Sequence, residues 1–392
     1  MDVKNQKYKI QFTLSEAAIG ILVIYCIIFP ADKVNIKEIL LFITLFVCSP
    51  AILMALKGEW RYNSFLLRFY GLVYPILVTL FSLTIGTSTL YDALSYGYVW
   101  IFLLLIPSIV VNRINILRPF IFATSVIAVM IDFIFVADIL GLVSIYNNPI
   151  VLFFDSMNEL QWGKGILATF GYSIFFKASP LIIFTYGYKL YNKKYFSAIF
   201  LFLALLGSGT RANLCVGIAM TIAIPLVCTE KASKKLIVCI GIIAAVIVLG
   251  PSLYERMLSL NAIKFDRSEA VKFDAINSII TYMNSKPYRY IFGTGVGSYF
   301  WSHARRTYVN VVEVSYLDYF RQVGILGFLC FAYFLYRPIN YYKKVENRWI
   351  LIAYIGYLAI AFTNPLLVTS TAFIVYIFIY SASFCEKQEY LL

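Results

Sequence analysis

Few residues in this 392-residue chain could carry polar chemistry, and they fall in two places. Arg211 stands in Leu206-Gly-Ser-Gly-Thr-Arg-Ala-Asn213, between two apolar runs. Arg267 stands in Phe265-Asp-Arg-Ser-Glu269, within a long polar segment at 252–312. Glu313 ends that segment and opens the stretch Glu313-Val-Ser-Tyr-Leu-Asp-Tyr-Phe-Arg-Gln-Val-Gly-Ile-Leu-Gly327. The planar fork of an arginine suits a phosphate or pyrophosphate. A carboxylate at the outer end of a helix can take a proton from a sugar hydroxyl, and partial burial would raise its pKa towards the useful range. His303, the single histidine, lies ten residues upstream and competes with Glu313 for the role of base. Arg305 and Arg306 form a further basic pair that could attract an anionic head group.

Each residue also has a plainer reading. Arg211 could reach to lipid head groups, but the run from Lys194 to Arg211 covers only about 26 Å, less than the roughly 30 Å of bilayer hydrocarbon. A guanidinium recessed on a Gly-Ser-Gly turn is costly without an anionic partner. Arg267 could be a solvated charge beside Asp266 or Glu269, and Glu313 could simply face a helix dipole. Arg305-Arg306 could be an ordinary interfacial patch. Asp318 and Arg321, three residues apart on one helix face, read as an internal pair lining a cavity. Lys177 and Asp132 read as a second, structural pair between apolar spans. Tyr290, Tyr299, Trp301 and Tyr308 could stack on sugars or anchor at the interface.

These residues must be positioned by an apolar scaffold. The chain is 61% hydrophobic, 18% aromatic and 14% charged, far from the averages of soluble domains. It reads as an all-α polytopic membrane protein forming a single transmembrane domain, 1–392. About twelve helices are expected, near 13–30, 36–56, 65–86, 95–111, 117–141, 166–188, 195–209, 212–229, 235–251, 314–336, 349–364 and 366–384. Placing the N-terminus in the cytoplasm puts nineteen Lys and Arg in inner segments and four in short outer ones. Both termini are then cytoplasmic, and 252–312 is one long outer loop between spans 9 and 10.

The net charge of +13 follows this topology and does not imply nucleic acid. The seven cysteines lie in or beside apolar runs, without zinc-ligand spacing, so neither a disulfide framework nor a metal is expected. The basic segment Lys4 to Lys9 precedes a first span read as uncleaved. A second outer segment covers 142–165. Within the long loop, 268–283 reads as an amphipathic helix whose apolar face carries Ala270, Phe273, Ile276 or Asn277, Ile280 and Met283, lying on the outer membrane surface or roofing a cavity. The Phe292-Gly-Thr-Gly-Val-Gly-Ser298 cluster lacks the strand and helix of a dinucleotide fold and reads as a tight turn.

Taken in order, small-Gly-Ser-Gly-Thr-Arg211 after the seventh span, Arg267 early in the outer loop, and the 293–297 glycines later in it form a pattern. Glu313 with Tyr316-Leu317, then Gly324-x-x-Gly327, completes it. The pattern resembles the bacterial O-antigen polymerase (Wzy-type) and O-antigen ligase superfamily, in topology over the whole chain and in residues over about 195–330. The resemblance implies a GT-C-like membrane glycosyltransferase in the bacterial inner membrane, its active site facing the periplasm or outside. It would join undecaprenyl-pyrophosphate-linked oligosaccharides by a metal-independent, inverting transfer that uses no cofactor. Arg211 and Arg267 would hold the pyrophosphate, Glu313 would be the base, and Arg305, Arg306, Tyr316 and Arg321 would add substrate contacts. A separate protein setting chain length is a further partner, beside membrane lipid. Glu313 occupies the place where ligases of the superfamily carry histidine, which favours polymerase over ligase. A lipid-linked sugar flippase is the alternative from another class, but the repeated halves and paired broken helices common in transporters are not apparent.

Overall fold

The computed structural model describes residues 14–58, 64–85, 88–164, 172–228, 270–303, 305–341 and 347–389. Apolar runs become helices because hydrocarbon offers no partner for backbone N–H and C=O groups, which must therefore bond within the segment. The helices are α1 (Leu14–Ile28), α2 (Ile36–Lys57), α3 (Phe65–Ile85), α4 (Leu90–Val111) and α5 (Leu117–Ile139). They continue with α6 (Pro149–Ser156), α7 (Ile182–Tyr191), α8 (Tyr195–Gly207), α9 (Arg211–Val227) and α10 (270–284). The last four are α11 (Tyr288–Phe292), α12 (Ser315–Tyr336), α13 (Arg348–Ile360) and α14 (Ser370–Glu389). Two short antiparallel hairpins stand between helices: β1 (Leu160–Lys164) with β2 (Tyr172–Phe176), and β3 (Phe300–Ser302) with β4 (Thr307–Val309).

The chain is a helical membrane protein, and among the described residues five helices are long and apolar enough to cross a bilayer: α2, α3, α4, α5 and the helix from Ser315 to Asn340. The apolar helices α1, α8, α9, α13 and α14 are shorter, and the expected span at 235–251 lies outside the described residues. The sixth expected span, 166–188, is corrected. Its described part is strand over Tyr172–Phe176 and α-helix only from Ile182. The run Tyr-Ser-Ile-Phe-Phe buries alternate side chains, Ile174 and Phe176, which is the two-residue period of a strand. Apolar content alone did not separate the two.

The core is aromatic. Trp100 is buried against Tyr70, Tyr74, Phe331, Phe334 and Phe373. Such hydroxyls need partners when buried. Tyr70 donates to the Cys330 carbonyl at 2.7 Å, and Tyr74 and Tyr319 share a 2.8 Å hydrogen bond.

Contacts gather the 29–35 turn, Glu159 and the 172–176 strand, the 208–210 turn, the described residues of 285–314 and the 361–369 turn at one end of the bundle. Cross-links confirm the grouping: Ser82 to Val296, Ser315 to Asn364, and Lys37 to Ser370. Arg113, Lys193 and Lys194 lie in connections at the opposite end.

Candidate functional site

The 270–314 segment is tied down over the collecting end by its glycines and by one arginine. Helix α10 buries Ala275, Ser278, Ile279 and Met283 against Phe300, Val309 and Val312. The buried face is thus rotated from the expected one: Phe273 and Ile280 are exposed, and Met283 alone of the named residues is fully inside. The helix carries two apolar ridges, and the four-residue ridge Ala275-Ile279-Met283 fits the hairpin beneath it.

Gly293, Gly295 and Gly297 all have positive φ, where a side chain is strained. Their loop presses on a break in α12. Gly324 has φ 64° and ψ −174°, so the carbonyls of Arg321 and Gln322 turn away from the helix. They accept instead from the N–H groups of Thr294 and Gly295, each at 2.9 Å. A Cβ on Gly293 would overlap the Gln322 carbonyl, so the two backbones meet only because both positions are glycine. Gly324 therefore does more than allow close helix contact.

Arg321 completes the clasp. Its side chain is fully buried and pairs with Asp318 through Nε at 2.9 Å and Nη2 at 2.8 Å. Nη1 donates to Ser298 Oγ at 2.7 Å and to the Ser298 carbonyl at 3.0 Å, while Nη2 reaches the Asn310 carbonyl at 3.1 Å. The guanidinium lies over Phe300, 4.4 Å from the ring centre. The expected Asp318–Arg321 pair is present. It joins α12 to the loop, and these bonds direct the guanidinium to protein groups.

Just outside the clasp, Glu313, Lys272 and Arg305 line one small recess with Ser302, and Arg211 is not among its lining residues. Glu313 is exposed, a correction to the partial burial expected of it. The residue sits in the turn before Ser315 and does not reach into the bundle. His303 and Arg306 are exposed on the β3–β4 turn, and the His303 N–H donates to Ser278 Oγ at 3.1 Å. Tyr316 is half-buried, with its hydroxyl given to the Leu358 carbonyl at 2.9 Å. Arg267 lies outside the described residues.

Arg211 is the first residue of α9, half-buried and engaged within the protein. The turn before it packs on β2, where Ser208 and Asn213 are buried and bonded at 3.1 Å. Thr210 Oγ1 and Asn213 Oδ1 are buried without hydrogen-bond partners among the described residues. Gly209 has φ 70°, and a Cβ there would overlap the Ser173 side chain. Gly209→Ala is expected to destabilise by at least about 1–2 kcal/mol from backbone strain alone. The thermal unfolding midpoint of the detergent-solubilised variant checks this.

A further polar structure escaped sequence reasoning. Glu159, fully buried, accepts from the N–H groups of Ala31 and Asp32 at 2.8–2.9 Å, pinning the turn before α2. Burial raises its pKa, opposed by these two amides. Lys37, 4% exposed, donates to the Pro30 carbonyl at 2.6 Å and to Ser370 Oγ at 3.1 Å. Lys177, at the end of β2, lies in the field of Glu159, and among the described residues it makes no ion pair with Asp132. The expected Lys177–Asp132 pair fails because 172–177 is not helix. Glu159→Ala would strand the buried Asp32 amide and the half-buried Ala31 amide and is expected to cost about 2 kcal/mol. The same unfolding measurement checks it.

Comparison with protein-family models, curated proteins and solved structures finds no match to this chain.

Proposed function

We propose that the protein is a membrane glycosyltransferase that polymerises undecaprenyl-pyrophosphate-linked oligosaccharide repeats into a surface polysaccharide. The observation that carries the reading is the small recess that Glu313 lines together with Lys272 and Arg305, next to a loop that Arg321 bonds to α12. An exposed carboxylate beside two cations, at one end of an apolar bundle, supplies a base and anion holders within reach of the membrane. Glu313 would take the proton of the acceptor hydroxyl as that oxygen attacks the anomeric carbon from the face opposite the pyrophosphate. The anomeric C–O bond breaks, and the pyrophosphate leaves with the electron pair. Arg211 and Arg267, with Arg305 and Arg306, would stabilise the charge that develops on it. The scheme draws its acid–base and electrostatic groups from the chain itself. The clasp favours an enzyme over a flippase, since alternating access needs one part of the bundle to rock against another.

Deletion of the gene tests the class. A polymerase deletion leaves single repeats on the lipid core, a ligase deletion leaves long chains on undecaprenyl pyrophosphate, and a flippase deletion leaves repeats on the inner leaflet. The expected result is the first. Normal long-chain polysaccharide would overturn the reading.

A further inference from the structure

Two clefts beside the 29–37 turn share a wall. A polar cleft of about 440 Å³ lies between that turn, α4 and the start of α14, with Lys33, Lys37, Glu38, Ser95, Thr369 and Ser370 among its lining. An apolar groove of about 770 Å³ runs between α2, α3 and α4, lined by Phe42, Leu72, Ile76, Leu80, Leu83 and Leu94 among others. Asn35, Glu38, Tyr91, Ser95 and Tyr98 line both, so the two are joined side by side.

At the junction the half-buried Glu38 carboxylate lies beside the Tyr98 side chain, and its Oε2 atom is buried with no hydrogen-bond partner among the described residues. A buried, unpaired carboxylate oxygen is costly, and a donor from a bound molecule would relieve it. The cleft's wall is built to last: Glu159 pins the turn, and Lys37 is bonded to Pro30 and Ser370 on opposite sides. Its formal charges balance, with Asp32 and Glu38 against Lys33 and Lys37. A phosphate entering it would meet the free carboxylate oxygen, whereas a hydroxyl would donate to that oxygen and accept from a lysine or serine. A polar cup opening sideways into an apolar groove has the shape of a molecule with a hydroxylated head and a hydrocarbon chain.

We propose that this two-part cleft binds an amphiphile with a sugar-like, polyhydroxylated head, its head beside Lys37 and Glu38 and its chain along the groove between α2, α3 and α4. The inference stands on the cavities and does not depend on the polymerase reading.

The test uses the full-length protein in phosphatidylcholine nanodiscs and a decyl β-glucoside carrying a diazirine on its chain. Photolabelling is expected on peptides of α2, α3 and α4, competed by decyl glucoside but not by equal concentrations of decanol, decyl phosphate or free glucose. Glu38→Ala is expected to lower the labelling about tenfold, as befits loss of a hydrogen bond to a charged group. Leu94→Trp fills the groove from an exposed position and is expected to lower it as far, and it decides the matter if Glu38→Ala folds poorly. Labelling indifferent to Leu94→Trp, or competed equally by decanol or decyl phosphate, would overturn the proposal. Labelling as expected in a protein that does not polymerise would sink the proposed function and leave this site standing.

Discussion

Arg321→Met is expected to leave little folded protein. The change strands Asp318, itself 4% exposed, with a buried charge and only Gln322 as a remaining side-chain partner. It also removes the donors that hold Ser298 and Asn310, leaving the glycine loop tied to α12 by the backbone bonds of Thr294 and Gly295 and by Gln322. Removing one partner of a buried ion pair costs about 3–5 kcal/mol, much of it from the uncompensated charge. That is a large share of the roughly 5–15 kcal/mol by which proteins are stable. Yield on size exclusion and the unfolding midpoint are the measurements. Arg321→Met combined with Asp318→Leu removes both charges and is expected to recover part of the loss. If the single variant were as stable as the parent, the clasp would not be what holds the loop.

Glu313→Gln is expected to fold normally and to lose roughly 100- to 10,000-fold in turnover, the range that a positioned general base contributes. The residue is exposed and holds no part of the clasp, so stability should not change. His303→Ala is expected to keep turnover within a few fold. The reverse outcome, a silent Glu313→Gln and an inactive His303→Ala, would move the base to the β3–β4 turn.

The sequence made the helical membrane class legible because hydrocarbon-soluble runs of about 20 residues have no common alternative. Spans such as 36–56 and 117–141 were read to within a few residues of α2 and α5. The hairpin at Leu160–Phe176 was not, since a run such as Tyr-Ser-Ile-Phe-Phe is as apolar as a helix turn and is too short for periodicity to decide. The Asp318–Arg321 pair was legible from its spacing of three. Its second job, holding Ser298 and Asn310, was not, because those partners lie 11 and 23 residues away in sequence. The positive-φ glycines flagged a tight turn without revealing that Gly324 breaks α12 to receive it. Glu159 and Lys37 gave no such signal: the one stands just before β1 and the other in the first turn of α2, and their partners Asp32 and Ser370 lie more than 100 residues away in sequence.

The most direct test is turnover of a defined undecaprenyl-pyrophosphate-linked repeat by the purified protein in liposomes, read as a ladder of chain lengths on a gel. The account predicts a ladder with the parent chain, release of undecaprenyl pyrophosphate in step with it, and neither with Glu313→Gln. A ladder unchanged by Glu313→Gln, or no product beyond the single repeat from folded parent protein, would contradict it.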